Sequence, residues 1–151
     1  FVPPEWRDRY TLDEWASKIL GMRASVISED PEALQQRFVE SVQDHPLYGS
    51  HFFFVLKVNN APEIVARLPT NLVIAYNADG MHIFDGERNL QQSFGYADIY
   101  RWGGSSSQFS LIVWDAKAED TFELIVTTAQ AADMAAVILD HIKAIMAISG
   151  A

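Results

Sequence analysis

Hydrophobic and polar positions follow two different periods along this chain, and the change between them divides it. In the first stretch, Thr11-Leu12-Asp13-Glu14 has the form of a capping box, with the Thr11 hydroxyl placed to take the Glu14 amide while the Glu14 carboxylate reaches back. A helix is predicted from there, with Leu12, Trp15, Ile19 and Met22 recurring at spacings of three and four along one face for about three turns. Asp30-Pro31-Glu32 opens a second helix. Asp30 serves as N-cap, Pro31 occupies the first helical position, where no N–H is needed, and Leu34, Phe38 and Val42 follow at i, i+4 and i+8. His45-Pro46 ends it, because the residue before a proline is pushed out of the helical region.

After Tyr48-Gly49 the period falls to two or to short apolar runs, which predicts strands. Seven are expected: Ser50 to Val58, Asn71 to Asn77, Met81 to Phe84, Gln91 to Tyr96, Ile99 to Trp102, Phe109 to Trp114 and Thr121 to Val126. Asp79-Gly80 between the second and third is a hairpin signal, since both residue types tolerate positive φ. A last helix is predicted from Ala129 to Ile148, with Thr128 as its cap and Gly150 as its stop. Met134, Ile138, Ile142 and Ile145 form its apolar stripe, and Ala132, Ala136, Leu139 and Lys143 a less bulky flank. The resulting fold class is α+β: two helices, then a seven-stranded antiparallel sandwich or partly open barrel capped by a C-terminal helix.

Composition narrows the chemistry. At 151 residues, 49% of them hydrophobic, the chain has material for one cored domain but not for two. No apolar run approaches the ~18 residues of a membrane helix; Phe52 to Leu56 breaks at Lys57. Twenty acidic residues against eleven basic ones give a net charge of −9, shared by both halves, so no basic footprint marks a nucleic-acid binder. With no Cys there is neither a disulfide framework nor a thiolate nucleophile or zinc site; together with the lack of an N-x-[ST] sequon this favours a cytoplasmic setting. The chain starts at Phe1 rather than Met and reads as a piece of something longer.

Catalysis needs convergent titratable groups, and the sequence does not gather them. His45, His51, His82 and His141 are scattered over turn, strands and helix, and no nucleophile elbow, phosphate loop or metalloprotease motif occurs. Neither a metal nor a cofactor is implied. Ala118-Glu119-Asp120 reads as a solvated hairpin turn, and Gly103-Gly104-Ser105-Ser106-Ser107 as a flexible one. The aromatic content, including Trp6, Trp15, Trp102 and Trp114, exceeds what a core of this size needs, which points to an interface. Trp6 and Tyr10 are the candidates for contact with a neighbouring lobe.

Several stretches taken together carry a resemblance. Phe1-Val2-Pro3-Pro4, Trp15 with Ile19, Glu32-Ala33 leading to Phe38-Val39, and above all Pro46-Leu47-Tyr48-Gly49-Ser50-His51-Phe52-Phe53 resemble the end of the helical central lobe of a FERM domain and its junction with the third lobe. Asn71 to Phe84, with its glycine-turned hairpin, is similar to the second and third strands of that lobe. Phe94 to Gly103 is similar to its aromatic-x-x-Ile-x-x-Trp pattern. The junction and the Ile-x-x-Trp-Gly strand look most like the MyTH4-FERM tails of unconventional myosins and plant-type kinesins.

The resemblance implies that residues 1–46 end a central lobe and that residues 47–151 are a PH/PTB-like third lobe, two roughly orthogonal sheets closed by the final helix. It implies a non-enzymatic module that binds cargo or adaptor peptides in the tail of a cytoskeletal motor, in a cytoplasmic, cytoskeleton-associated setting. The alternatives are a talin- or ezrin-like membrane linker engaging receptor tails, and an intramolecular autoinhibitory lobe. Such lobes add a peptide as a strand beside the fifth strand, here Ile99, Tyr100, Arg101 and Trp102, against Ala132, Ala136, Leu139 and Lys143 of the last helix. The missing FERM lobes of the same chain would be further partners. Phosphoinositide binding is disfavoured, because residues 50–151 hold six basic against eleven acidic residues; a cation-rich tail would be attracted instead.

Overall fold

The computed structural model describes Val2, residues 4–26 and residues 30–150. It divides into two compact units, Phe1–Pro46 and Leu47–Ala151. Phe1 and Pro3, part of the stretch expected to close a central lobe, lie outside the described residues.

The first unit holds a 3-10 helix over Pro4–Arg9, which the sequence pattern does not predict, then α1 (Leu12–Val26) and α2 (Pro31–Gln43). Both predicted caps form. The Thr11 amide donates to Glu14 Oε2 at 2.7 Å and the Glu14 amide to Thr11 Oγ1 at 3.3 Å, while Asp30 Oδ2 accepts from the Ala33 amide at 3.4 Å. In the apolar stripe of α1 Trp15 is partly covered, but Leu12 is 87%, Ile19 43% and Met22 74% exposed; Phe38 of α2 is likewise exposed. Trp6, Tyr10 and Trp15 each find a local contact. Tyr10 meets Trp15 edge-on at 5.1 Å, the Trp15 indole N–H donates to the Arg7 carbonyl, and the Arg9 guanidinium lies 3.9 Å over Trp6.

The second unit is a seven-stranded antiparallel sheet with one long helix. Its strands are β1 (His51–Lys57), β2 (Asn71–Asn77), β3 (Gly80–Asp85), β4 (Leu90–Phe94), β5 (Ile99–Gly104), β6 (Gln108–Asp115) and β7 (Asp120–Thr127), in the order β4-β3-β2-β1-β7-β6-β5. The sheet does not close. β1 pairs with β2 from His51↔Tyr76 to Leu56↔Asn71 but with β7 only at Leu56 and Lys57, so two meanders are joined by a narrow seam. Asn59 extends that seam with its side chain, accepting from the Ile125 amide at 3.0 Å and donating to the Glu123 carbonyl at 2.6 Å. Alternation fills the core: Phe53 and Val55, Leu72, Ile74 and Tyr76, and Phe109, Leu111 and Val113 point inward. α4 (Ala131–Ile148) covers this core with Ala131, Met134 and Ile138, all buried.

Several local expectations need correction. The β2–β3 turn does not use positive φ at Asp79; only Gly80 has it (φ +147°), and the turn is held by Asn77 Oδ1, which accepts from the amides of Asp79 and Gly80. β4 ends at Phe94, because Tyr96 belongs to a 3-10 turn through Asp98. β5 runs two residues beyond Trp102, to Gly104. Thr128 does not cap α4: it lies two residues before the N-cap position, Gln130, whose amide its hydroxyl accepts, and the helix starts at Ala131. A four-residue helix, α3 (Glu63–Ala66), lies unpredicted between β1 and β2 and buries Val65. Lys57, which interrupts the apolar run of β1, caps α3 by donating from Nζ to the carbonyls of Val65, Ala66 and Leu68.

The outer face of β1–β4 is apolar where a solvated sheet would be polar. Phe54, Val73, Phe84 and Leu90 are directly opposed from strand to strand and form a row across all four, with Phe54 78% exposed.

Candidate peptide-binding groove

β5 is an edge strand, paired with β6 alone, and α4 lies against it. Two contacts fix the helix beside the strand. At one end Gly104 approaches α4 so closely that a Cβ there would sit 2.8 Å from the Ala131 methyl and 2.5 Å from the Gln108 carbonyl oxygen. At the other, the His141 ring stacks on Tyr96, just before β5, with centroids 5.3 Å apart. The helix therefore runs back along the strand, from its start near Gly104 to His141 near Ile99.

Along the strand the four expected residues differ in role. Ile99 is buried and contributes side-chain packing to the core. Tyr100 is the extra residue of a β-bulge, since the register passes from Ile99↔Val113 to Arg101↔Ile112; it is 61% exposed and stacks on Trp114 of β6 at 6.4 Å. Arg101 is exposed, and Trp102 is partly buried against the core. On the helix, Ala132, Ala136, Leu139 and Lys143 share an exposed face, away from the buried stripe of Ala131, Met134 and Ile138. Ala135 and Ile142 pack, partly buried, at the margin of the core; their period merges with the core stripe, so spacing alone does not set them apart. Arg101 and Lys143 are the cations of this strand and this helix flank, and Asp133 and Asp140 of α4 equal them in number.

His141 couples the helix to the sheet. It faces His51 of β1 edge-on at 6.4 Å as well as Tyr96, whose hydroxyl donates to the Asn77 carbonyl at 2.7 Å. Burial, and then the neighbouring His51, hold the His141 pKa below its usual 6.5, while Asp140 acts the other way. A depressed histidine pKa means that folding favours the neutral ring. The stabilisation is then fully present above about pH 6.5 and lost as pH falls through the lower folded value. Thermal midpoints followed from about pH 7.5 to about pH 5, above the carboxylate range, should fall more steeply for the native chain than for His141→Gln; equal slopes would remove His141 as the cause.

Other candidates of the sequence reading are structurally occupied. Ser105 Oγ accepts from the amides of Ser107 and Gln108, and the Ser105 amide donates to Gln108, so the Gly-Gly-Ser-Ser-Ser turn satisfies itself. Ala118-Glu119-Asp120 is a hairpin turn with Glu119 at positive φ. His82 donates from Nε2 to Asn77 Oδ1, which already accepts amides, and its Nδ1 lies 2.9 Å from the Ser93 hydroxyl oxygen. The six cations of residues 50–151 are dispersed over β1, the end of α3, the β3–β4 turn, β5, the β6–β7 turn and α4 rather than clustered. Among the described residues no three His, Asp or Glu side chains are placed to hold a metal ion, and no helix is long and apolar enough to cross a membrane.

The chain and its fold are similar to several known proteins. Residues 54–146 match the family described as PTB domain (IRS-1 type). FERM domain-containing protein B of Dictyostelium discoideum is 23% identical over 112 residues, which cover 74% of this chain and 23% of that protein. Among solved structures, the human myosin 7b C-terminal MyTH4-FERM domain in complex with the harmonin-a PDZ3 domain superposes with a TM-score of 0.75 at 19% identity, over 96% of this chain and 28% of that one. The Dictyostelium myosin VII MF2 domain gives 0.72 at 19% identity, over 93% of this chain and 27% of that one. The FERM and C-terminal domain complex of Drosophila Merlin gives 0.65 at 15% identity, over 99% and 48%.

Proposed function

This chain belongs to the PTB domain (IRS-1 type) family and its second unit has the fold of a PH/PTB-like FERM lobe, and from that premise we propose that it is the third lobe of a FERM domain and takes a partner peptide as an added strand along β5, beside α4. The observation that carries the reading is the edge itself. β5 has a strand on one side only, so its outward N–H and C=O groups are available to a peptide backbone, and α4 supplies a wall for every second side chain. Leu139, 41% exposed, and Tyr100 offer apolar contact; Ala132 and Ala136 leave room; Arg101 and Lys143 select a peptide that carries carboxylates. These two cations on the strand and the helix flank, rather than the net charge of the whole chain, would then set the sign of the occupant, in place of the cation-rich tail suggested by net charge.

The setting that fits is the tail of a cytoskeletal motor, supported by the likeness to two myosin MyTH4-FERM domains. Residues 1–46 would then be the last helices of the central lobe. Their uncovered stripe of Leu12, Met22 and Phe38, with half-exposed Trp6 and Tyr10, would meet the rest of the FERM domain. Intramolecular docking is the second reading, supported by the Merlin structure, in which a FERM domain is bound by a C-terminal domain.

The test uses a terminally blocked octapeptide of alternating Glu and Val, followed by amide resonances. Shifts are expected at Ile99 to Trp102 and along α4, and Leu139→Glu should weaken binding by about tenfold through like charge and lost contact. Shifts confined to other strands would remove the groove assignment.

A further inference from the structure

An open sheet has two edges, and β5 is only one of them. β4 is the other: it pairs with β3 alone, and its register is regular from Ile83↔Gln92 to Met81↔Phe94, the irregularity lying before that stretch. Such an edge presents a row of backbone donors and acceptors, a template for one more strand. Beside it lies a cavity of about 700 Å³, with Gln92 and Ser93 of β4 on one wall and the β6–β7 turn on the other.

The floor of this cavity is apolar. The Phe94 and Phe122 rings lie 5.6 Å apart, with Ile64 of α3 and Leu68 beside them. Its rim is acidic. Asp98, Asp115 and Asp120 line it against Lys117, while the Arg67 guanidinium is already paired with Glu63. Asp115 and Asp120 each spend one oxygen on their own turn, accepting from the Lys117 amide at 2.9 Å and the Thr121 amide at 2.7 Å, and keep the second for a partner.

We propose that the β4 edge and this cavity form a second docking site, for an extended segment of a partner protein in which apolar residues alternate with Lys or Arg. The alternation follows from the geometry: an added strand sends successive side chains to opposite faces, one toward the Phe94–Phe122 floor and the next toward the carboxylate rim. The edge is five residues long, so it spans about 17 Å and orders a segment of about the same number. Its charge preference is the reverse of that of the β5 groove, which lets the two sites be told apart in one molecule.

A blocked octapeptide of alternating Lys and Val, added to the full 151-residue chain, tests this. Shifts are expected at Gln91 to Phe94 and Lys117 to Phe122, with binding weakening as salt rises. Asp115→Lys with Asp120→Lys should weaken it by about tenfold and leave the Glu-Val peptide at β5 unaffected. The same Lys-Val peptide with alternate backbone amides methylated keeps its charge and side chains but cannot add as a strand, and it should also bind about tenfold more weakly. No binding, shifts confined to β5 and α4, or equal affinity of the methylated peptide would overturn the proposal. Failure of the Glu-Val peptide alone would bear only on the β5 groove.

Discussion

Gly80→Ala is expected to destabilise the second unit by roughly 2–4 kcal/mol, because the new methyl meets fixed backbone and an unfavourable φ at once. A Cβ at this position would overlap the Phe94 carbonyl oxygen and lie 3.0 Å from the Phe94 carbonyl carbon and 3.1 Å from the Gly95 Cα, at a φ of +147° that only glycine adopts without strain. Relief requires β4 to move off β3, which would also disturb the edge and cavity proposed as a second site. Gly86→Ala is the matched control, since nothing lies within 4 Å of its Cβ position. Urea unfolding of the two variants measures the difference; equal midpoints would show that the β3–β4 approach is softer than the geometry indicates.

Ile138→Ala is expected to cost about 2–4 kcal/mol, the usual penalty for truncating a fully buried branched residue. Ile138 is 0% exposed and sits midway along the part of α4 that covers the sheet, between Met134 and the partly buried Ile142. Its loss should weaken the β5 groove as well as the fold, because the helix is one wall of that groove. Leu139→Ala, one residue on and turned to solvent, should change stability by no more than about 0.5 kcal/mol. A comparable loss in both variants would mean that α4 does not dock through the stripe described above.

Much of this architecture was legible in the sequence where local chemistry decides the outcome. Thr11 with Glu14 and Asp30 with Pro31 set the starts of two helices, and the change of period after Gly49 marks the onset of strands, because caps and alternation need only near neighbours. Hidden from the sequence were features whose cause lies far along the chain. Lys57 reads as the charged end of an apolar run, yet its ammonium is held by the carbonyls that end α3, eight to eleven residues away. Tyr96 reads as strand but turns to stack on His141, forty-five positions on. Thr128 reads as a helix cap, but its amide is claimed by the Ser107 carbonyl and its hydroxyl by Gln130. The β5 groove residues came from family resemblance rather than from periodicity, and the β4 cavity is assembled from segments that share no pattern in the sequence.

The narrow seam between β1 and β7 has a bearing on how the chain finds this structure. Within β1 to β4 and within β5 to β7, each strand pairs with the next one in the chain, so those contacts close short loops. Among the strand pairs of the described residues only β1 with β7 joins distant parts of the chain, and the Asn59 bonds that reinforce it span sixty-four and sixty-six residues. Loop-closure entropy rises with the logarithm of loop length, so the largest cost of bringing strands together falls on the least extensive ladder of the sheet. Asn59 adds two hydrogen bonds at the one place where the backbone supplies the fewest, and there the search for the native topology is completed.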